Sequence, residues 1–282
     1  TILFDTLSHR VVEQEKKGEI DKSVVKIPDE RLDKLTEIFN PKKKVNATLE
    51  IVDIQGLALS DDGKVKITSD FLNKVKNNDA LMYIIREFKE ETIPHPFDTI
   101  EPLRDIQFLE TEFLLTDMAL IENRIEKIKK DILKSKNEQL QKELPLFTKL
   151  SEHISQELPL RELNLEHNEI KLLSGYQFLT IKPLIVAINF DEESKNNVDE
   201  IINKIEKAFT NYKLNIIPFF GKFEYELSKL SDEEAKIFME DFGIAESALS
   251  RILRTSYEIL GLQSFFTVGE DECRAWTIKK NS

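Results

Sequence analysis

Cysteine occurs once, at Cys273, in 282 residues, so no internal disulfide can close, and a lone thiol in so long a chain suits a reducing compartment. Glycine is almost as scarce. The chain has eight, well below an average usage of about 7%, and none builds a G-x-x-x-x-G-K-[ST] phosphate loop. Gly63-Lys64 and Gly221-Lys222 both lack the upstream glycine that the pattern requires. No apolar run approaches a bilayer span and no signal-peptide pattern is present, so a soluble cytoplasmic protein with no membrane partner is expected. Positive charge is short as well. A net charge of −12 disfavours wholesale attraction to DNA or to an anionic membrane, leaving only local basic patches such as Lys42-Lys43-Lys44 and the lysines between 127 and 136. The four histidines, His9, His95, His153 and His167, are dispersed and show no ligand spacing, so a metal cluster is not expected.

The length and a hydrophobic content of 40% allow a sizeable core and more than one domain. Apolar runs typical of buried strands lie at 23–27, 48–54, 80–88, 184–190 and 214–220, and helical patterns at 29–39, 68–75, 193–209 and 232–242. Strands alternating with helices predict an α/β domain with a mainly parallel sheet covered on both faces. Ser231-Asp232-Glu233-Glu234 reads as a capping box. Between 102 and 174 the strand signal vanishes. Leu114, Met118, Ile121, Ile125, Ile128 and Ile132 recur at alternating spacings of four and three, and Leu140, Leu144, Phe147, Leu150 and Ile154 supply a second stripe. Narrow stripes and broad charged faces predict a long antiparallel helical hairpin inserted into the α/β domain. The tail reads as a β-hairpin, 264–268 and 273–278, joined at Gly269-Glu270-Asp271-Glu272, with Cys273 packed and Trp276 in a core.

The segment Leu49-Glu50-Ile51-Val52-Asp53-Ile54-Gln55-Gly56-Leu57 carries the sharpest chemical signal. An aspartate at the carboxyl end of a strand can reach Mg²⁺, directly or through water, and a glycine three places later lets a backbone N–H approach a terminal phosphate. A strand that simply ends in a turn has the same appearance.

Several words together resemble the Obg-like ATPases, the YchF subfamily of P-loop GTPase-fold proteins. They are Val24-Val25-Lys26-Ile27-Pro28-Asp29-Glu30-Arg31-Leu32-Asp33-Lys34-Leu35, Val52-Asp53-Ile54-Gln55-Gly56-Leu57, Pro102-Leu103-Arg104-Asp105-Ile106, and the run from Tyr257 to Gly269 followed by Arg274-Ala275-Trp276-Thr277-Ile278. The resemblance is collinear over nearly the whole chain. It implies a P-loop NTPase-type sheet with helices on both faces, an inserted coiled coil and the start of a C-terminal β-grasp (TGS) domain. The expected division is a nucleotide-binding domain of 1–101 plus 176–260, a coiled coil of 102–175, and the beginning of the TGS domain at 261–282. Thr1 would hold the position of the Ser/Thr that binds Mg²⁺, with the first strand and most of the phosphate loop expected upstream. The resemblance also places Asn189 and Glu192 at the base as an N-x-x-E word, which favours ATP over GTP, with Phe220 and Gly221 on the last base-side loop.

The departures bear on rate. The glycine-rich segment that follows D-x-x-G in the family is here Ala58-Leu59-Ser60-Asp61-Asp62-Gly63-Lys64-Val65-Lys66-Ile67, whose two aspartates would repel a phosphate. The stretch aligned with the first switch, Glu13-Gln14-Glu15-Lys16-Lys17-Gly18, offers no threonine for Mg²⁺; Leu57 stands where many GTPases place a water-positioning glutamine, an apolar replacement that the resemblance implies is itself a family trait. The expectation is a divergent purine-nucleotide-binding protein with weak or absent hydrolysis, a ribosome-associated switch. The competing expectation is a nucleotide-independent scaffold that docks through the helical hairpin and the TGS domain.

Overall fold

The computed structural model describes residues 3, 6, 11–17, 20–54, 58–59, 65–134, 138–212, 214–241 and 244–280. The chain runs β1 (Val11–Lys17), β2 (Ile20–Lys26), α1 (Glu30–Phe39), β3 (Lys43–Val45), β4 (Thr48–Ile54), the short pair β5 (Ala58–Leu59) and β6 (Val65–Lys66), α2 (Ser69–Lys76) and β7 (Leu81–Glu87). Two long helices follow, α3 (Pro102–Lys134) and α4 (Glu138–Ile154), then the short α5 (His167–Leu173). The sheet resumes with β8 (Leu184–Phe190), α6 (Val198–Ala208), β9 (Asn215–Phe219), α7 (Gly221–Leu227), α8 (Asp232–Asp241), α9 (Ala248–Ile259) and the hairpin β10 (Leu262–Val268) and β11 (Glu272–Lys279). No helix among the described residues is long and apolar enough to cross a membrane.

Strand β8 is the axis of the α/β part. Its seven residues, Leu-Ile-Val-Ala-Ile-Asn-Phe, are all buried, and it pairs in parallel with β7 (Tyr83 opposite Val186) and with β9 (Ala187 opposite Ile217). A strand buried on both faces has no polar side to show, which is why it reads as a continuous apolar run. Its side chains divide by the period of two. Ile185 and Ala187 join a core with Val25, Ile27, Leu32 of α1 and Leu249, Ile252 and Leu253 of α9. Leu184, Val186, Ile188 and Phe190 join a second core with Val75 of α2, Ile106 and Phe113 of α3, and Ile205 of α6. Helices therefore cover both faces, as the strand–helix alternation predicts.

The remaining strands form smaller sheets. β1, β2 and β4 make an antiparallel three-stranded sheet, while β11 lies between β10 and β3. Local chemistry sets several boundaries. The Asp29 carboxylate accepts from Arg31 N at 3.0 Å to start α1, and Asn40, at φ 43°, ends it in the left-handed conformation. Thr68 caps α2 through Phe71 N at 3.1 Å, and Ser231 with Glu234 forms the expected capping box on α8.

Helices α3 and α4 pack antiparallel through the predicted stripes. Ile121, Ile128, Leu146, Phe147, Leu150 and Ile154 are buried together with Leu160, Leu173 and Phe178. The hairpin is rooted by a buried carboxylate. Asp117 of α3, fully enclosed, accepts from Leu179 N (2.9 Å), Thr180 N (2.7 Å) and Thr180 Oγ1 (2.7 Å). Burial raises its pKa, with the three hydrogen bonds opposing that shift.

The structure corrects the sequence reading in four places. The helix expected over 193–209 opens with a 3₁₀ turn, Glu193–Asn197, before α6, because the Asp191 carboxylate captures Ser194 N at 2.8 Å. The sequence reading contains neither α7 nor α9. The stretch aligned with the first switch is largely strand, in β1. Trp276 is not a core residue: it is 44% exposed and stacked on Phe265 (6.3 Å between centroids, 12° between planes), while Cys273 and Ala275 of the same strand point inward and are buried. Alternation along β11 decides which side chains face in, and Trp276 falls on the outer set.

Candidate functional site

Ligands of parallel sheets bind beyond the carboxyl ends of the strands, where side chains from several loops converge. Here those ends are Glu87 of β7, Asn189 and Phe190 of β8, and Phe219 of β9. Asn189 is buried, and its Oδ1 accepts the backbone N–H of Gly221 at 2.8 Å. That bond ties the end of β8 to the first residue of α7. It leaves the Asn189 amide Nδ2, which donates to no described residue, at the strand end. Phe220 precedes α7 in an extended conformation, and its ring lies 6.2 Å from that of Phe190. The structure thus brings three of the predicted site residues, Asn189, Phe220 and Gly221, into one cluster.

The cluster is braced from behind. Glu224 of α7 is buried and accepts from Ala248 N at 2.7 Å and Leu249 N at 3.4 Å, so its carboxylate meets the positive end of α9. Arg251 of α9 donates to Pro218 O at 2.8 Å. Nothing in the local sequence announces this brace, because both partners of each bond are brought together only by the tertiary fold.

Acidic groups line the adjacent loop. Burial pushes the Asp191 carboxyl up, but the hydrogen bonds led by Ser194 prevail and its pKa is lowered overall. The Glu87 carboxyl is raised, by burial first and then by Asp191 and Asp105, with Lys204 opposing. Its buried Oε2 has no hydrogen-bond partner among the described residues. Asp105 at the root of α3 pairs with His95 Nε2 at 3.1 Å and with Arg104 at 2.7 Å. Arg86 spends its guanidinium on the carbonyls of Phe88, Glu90 and Ile93, at 2.7–2.9 Å, and so folds the loop after β7. The sequence reading missed Glu87 and Asp191. For Asp191 a signal existed, since an aspartate between a strand and a helical pattern can accept a backbone N–H of the first helical turn.

The other predicted residues are placed as follows. Glu192 is exposed at the start of the 3₁₀ turn and its side chain makes no capping bond. Asp53 is half-buried next to the last residue of β4, opposite Asp21 of β2. Thr1, Gly56 and Leu57, with Asp61, Asp62 and Gly63, lie outside the described residues. No group of three or more His, Cys, Asp or Glu that could hold a metal occurs among the described residues. Mg²⁺ bound with a nucleotide keeps several waters and takes only one or two protein oxygens, so a single carboxylate at a strand end is a donor set of the right chemistry. Asp53 fits that description. A separate pocket of about 270 Å³, lined by Arg161, Glu162, Ile181, Pro183, Leu184, Leu214 and Asn215, sits at the opposite, amino ends of β8 and β9.

No family model matches the chain. It is 34% identical over 259 residues to the ribosome-binding ATPase YchF of Bacillus subtilis, covering 91% of this chain and 70% of that one. This chain belongs to the YchF family. The YchF proteins of Buchnera aphidicola (34% over 259 residues, 92% and 71% of the two chains) and Haemophilus influenzae (32% over 255 residues, 90% and 70%) are similar to the same extent, and both carry the same descriptive name. The solved structure of the Schizosaccharomyces pombe YchF GTPase superposes with a TM-score of 0.84 at 26% identity, covering all of this chain and 78% of that one. The fold is that of an Obg-like P-loop GTPase, and the YchF resemblance read from the sequence is correct.

Proposed function

We propose that this YchF protein binds a purine nucleotide at the carboxyl ends of β7, β8 and β9, takes ATP in preference to GTP, hydrolyses it slowly, and acts as a ribosome-associated switch in the cytoplasm. The observation that carries the reading is Asn189: a buried amide whose Oδ1 is fixed on Gly221 N, so that its Nδ2 is held ready as a donor to a ring nitrogen. Phe220 beside it offers an apolar wall for a base. Glu192 three residues on, with no lysine between, replaces the pairing that makes ordinary GTPases choose guanine. The names of the relatives, a ribosome-binding ATPase in Bacillus subtilis and a GTPase in Schizosaccharomyces pombe, support a nucleotide and a ribosome as partners. Asp53, with Thr1, would hold Mg²⁺, which neutralises phosphate charge when bound with nucleotide.

Slow hydrolysis follows from the sequence around the D-x-x-G word. Leu57 cannot orient water by hydrogen bonding, and Asp61 and Asp62 bring charge of the wrong sign. Losing one preorganised donor costs on the order of 3 kcal/mol, about a hundredfold in rate. With several supports altered together, turnover is expected well below ~10 s⁻¹. Isothermal titration of the full-length protein with ATP and GTP tests the reading, and Asp53→Ala is expected to weaken Mg-nucleotide binding without unfolding the protein. No binding of either nucleotide overturns it. Equal affinity of Asp53→Ala and the parent removes Asp53 from the site. The long α3–α4 hairpin, with a core of its own, favours the second reading, a scaffold that docks whether or not nucleotide is bound. Ribosome binding unaffected by ATP, GTP or Asp53→Ala would select it.

A further inference from the structure

The α3–α4 hairpin is electrically divided along its length. In the first twenty residues of α3 the single cation Arg104 faces Asp105, Glu110, Glu112 and Asp117. From Glu122 to Glu143 the balance reverses: Arg124, Lys127, Lys129, Lys130, Lys134, Lys136 and Lys142 outnumber Glu122, Glu126, Asp131, Glu138 and Glu143. This occurs in a chain whose net charge is −12.

Arg124 is already committed. Its guanidinium makes a two-pronged pair with Glu143 at 2.8 Å and lies over the Tyr176 ring. The lysines are not. Lys127, Lys130 and Lys134 recur at spacings of three and four, so they line one stripe of α3, and all three are exposed, whereas Ile121 and Ile128 of the same helix are buried in the seam. Among the described residues Lys127 and Lys134 make no ion pair. Lys130 has only a 3.1 Å contact with Glu126, both side chains about 70% exposed, which water and salt readily replace. A row of ammonium groups one helical turn apart matches a phosphate backbone, since each is a flexible point charge that needs no particular base. It is a poor match to an apolar partner, because Leu133, though 88% exposed, is the only large apolar side chain in the last two turns of α3 outside the seam.

We propose that the stripe Lys127–Lys130–Lys134 is an RNA-backbone contact, and that through it the distal third of the hairpin meets ribosomal RNA. This rests on the ribosome reading above. The acidic root of the hairpin is repelled by the same polyanion, so the charge division also sets orientation, tip towards the RNA and strand-end site away from it.

The test is binding of the full-length protein to purified ribosomes and to protein-free ribosomal RNA over a range of salt concentrations. The triple reversal Lys127→Glu, Lys130→Glu, Lys134→Glu is compared with a charge-matched control, Lys26→Glu, Lys207→Glu, Lys236→Glu, which changes three exposed lysines elsewhere. Because the stripe is solvent-exposed, the helical circular dichroism is expected to be unchanged. A second triple, with glutamine in place of glutamate, separates loss of attraction from new repulsion. The stripe reversal is expected to weaken binding to both targets by about tenfold or more, and to make the log–log salt slope shallower by roughly two to three, one released counterion per lysine. The control triple is expected to keep the parent slope. If all variants bind ribosomes with the parent's affinity and slope, the stripe is not the contact, while ribosome binding itself stands. If the reversal abolishes ribosome binding but the parent ignores protein-free RNA, the partner is an acidic protein surface and the RNA assignment is overturned. If the parent does not bind ribosomes at all, the ribosome reading falls with it.

Discussion

The two ends of strand β7 hold carboxylates in opposite circumstances. Towards the amino end, Tyr83 donates to Glu110 at 2.8 Å, and the same buried carboxylate accepts from Tyr212 at 3.0 Å and from Arg161, whose guanidinium also lies over the Tyr212 ring. Every oxygen there has a partner. Burial, with Glu110 reinforcing it, drives the Tyr83 phenol well above its ordinary pKa, so Tyr83 serves as a neutral donor to Glu110. Four residues on, at the carboxyl end, Glu87 has a buried oxygen with no partner among the described residues and two acidic neighbours, Asp105 and Asp191. The first arrangement is a fastening between sheet and hairpin. The second is left incomplete on the side where the strand ends, the side that also holds Asn189. A closed polar network marks the foundation of this molecule, and an open one lies at the strand ends, where the candidate site is.

Breaking the foundation should have the largest effect. Glu110→Gln removes the charge that Arg161, only 12% exposed, depends on, and stranding one partner of a buried pair costs about 3–5 kcal/mol. An unfolding free energy from urea titration lowered by that much is the expected result, and a change under about 1 kcal/mol would show that water relieves the site. At the candidate site the expected effect on stability is smaller and the expected effect on binding larger. Asn189→Ala leaves the buried Gly221 N–H without its acceptor, at a cost of about 1–3 kcal/mol. It should also reduce nucleotide affinity in titration, and affinity held at the parent level would take Asn189 out of the base site. The smallest effect is a change of sign. The folded protein holds the Glu87 proton more tightly than the unfolded chain, so stability falls as pH rises from the ordinary carboxyl value through the raised one. Glu87→Gln should flatten that slope and raise the neutral-pH midpoint slightly, readable in thermal melts from pH 4 to pH 8. Glu143 provides the contrast. Its pKa is lowered, chiefly by Arg124, so its contribution is present above the ordinary carboxyl value and is lost on acidification.

Much of the architecture was legible because burial leaves periodic traces. Strand β8 announces itself by having no polar side, and α3 by the spacing of Met118, Ile121, Ile125 and Ile128. The capping box at Ser231 was read correctly because both partners lie within one turn. The elements that escaped have weaker traces. β1, Val-Val-Glu-Gln-Glu-Lys-Lys, is too polar to read as a strand and exists through its pairing with β2. α7 is only seven residues long, too short for a helical period to stand out. Of the candidate site, Asn189, Phe220 and Gly221 were named from their motif words, and the fold brings the three together. Glu224, which fixes α9 against that loop, was invisible: a carboxylate twenty-four residues from the amide it caps leaves no local pattern. Trp276 was misplaced for a related reason, since composition gives a residue's affinity for a core but not the face of the strand on which it falls.

Helix α3 is one unbroken rod of 33 residues, about 50 Å from end to end at 1.5 Å per residue. Its first turn carries Asp105, tied to His95 and Arg104 beside the strand ends, and Asp117 pins it to the chain at Leu179 and Thr180. Further out, Arg124 meets Glu143 and the Tyr176 ring, and beyond it the rod is held by its packing against α4. A tilt of ~5° about the near end would swing the tip of such a rod through ~4 Å, more than the length of a hydrogen bond. Were the strand ends to tilt α3 by that much, leverage alone would enlarge the movement at the place where the lysines stand.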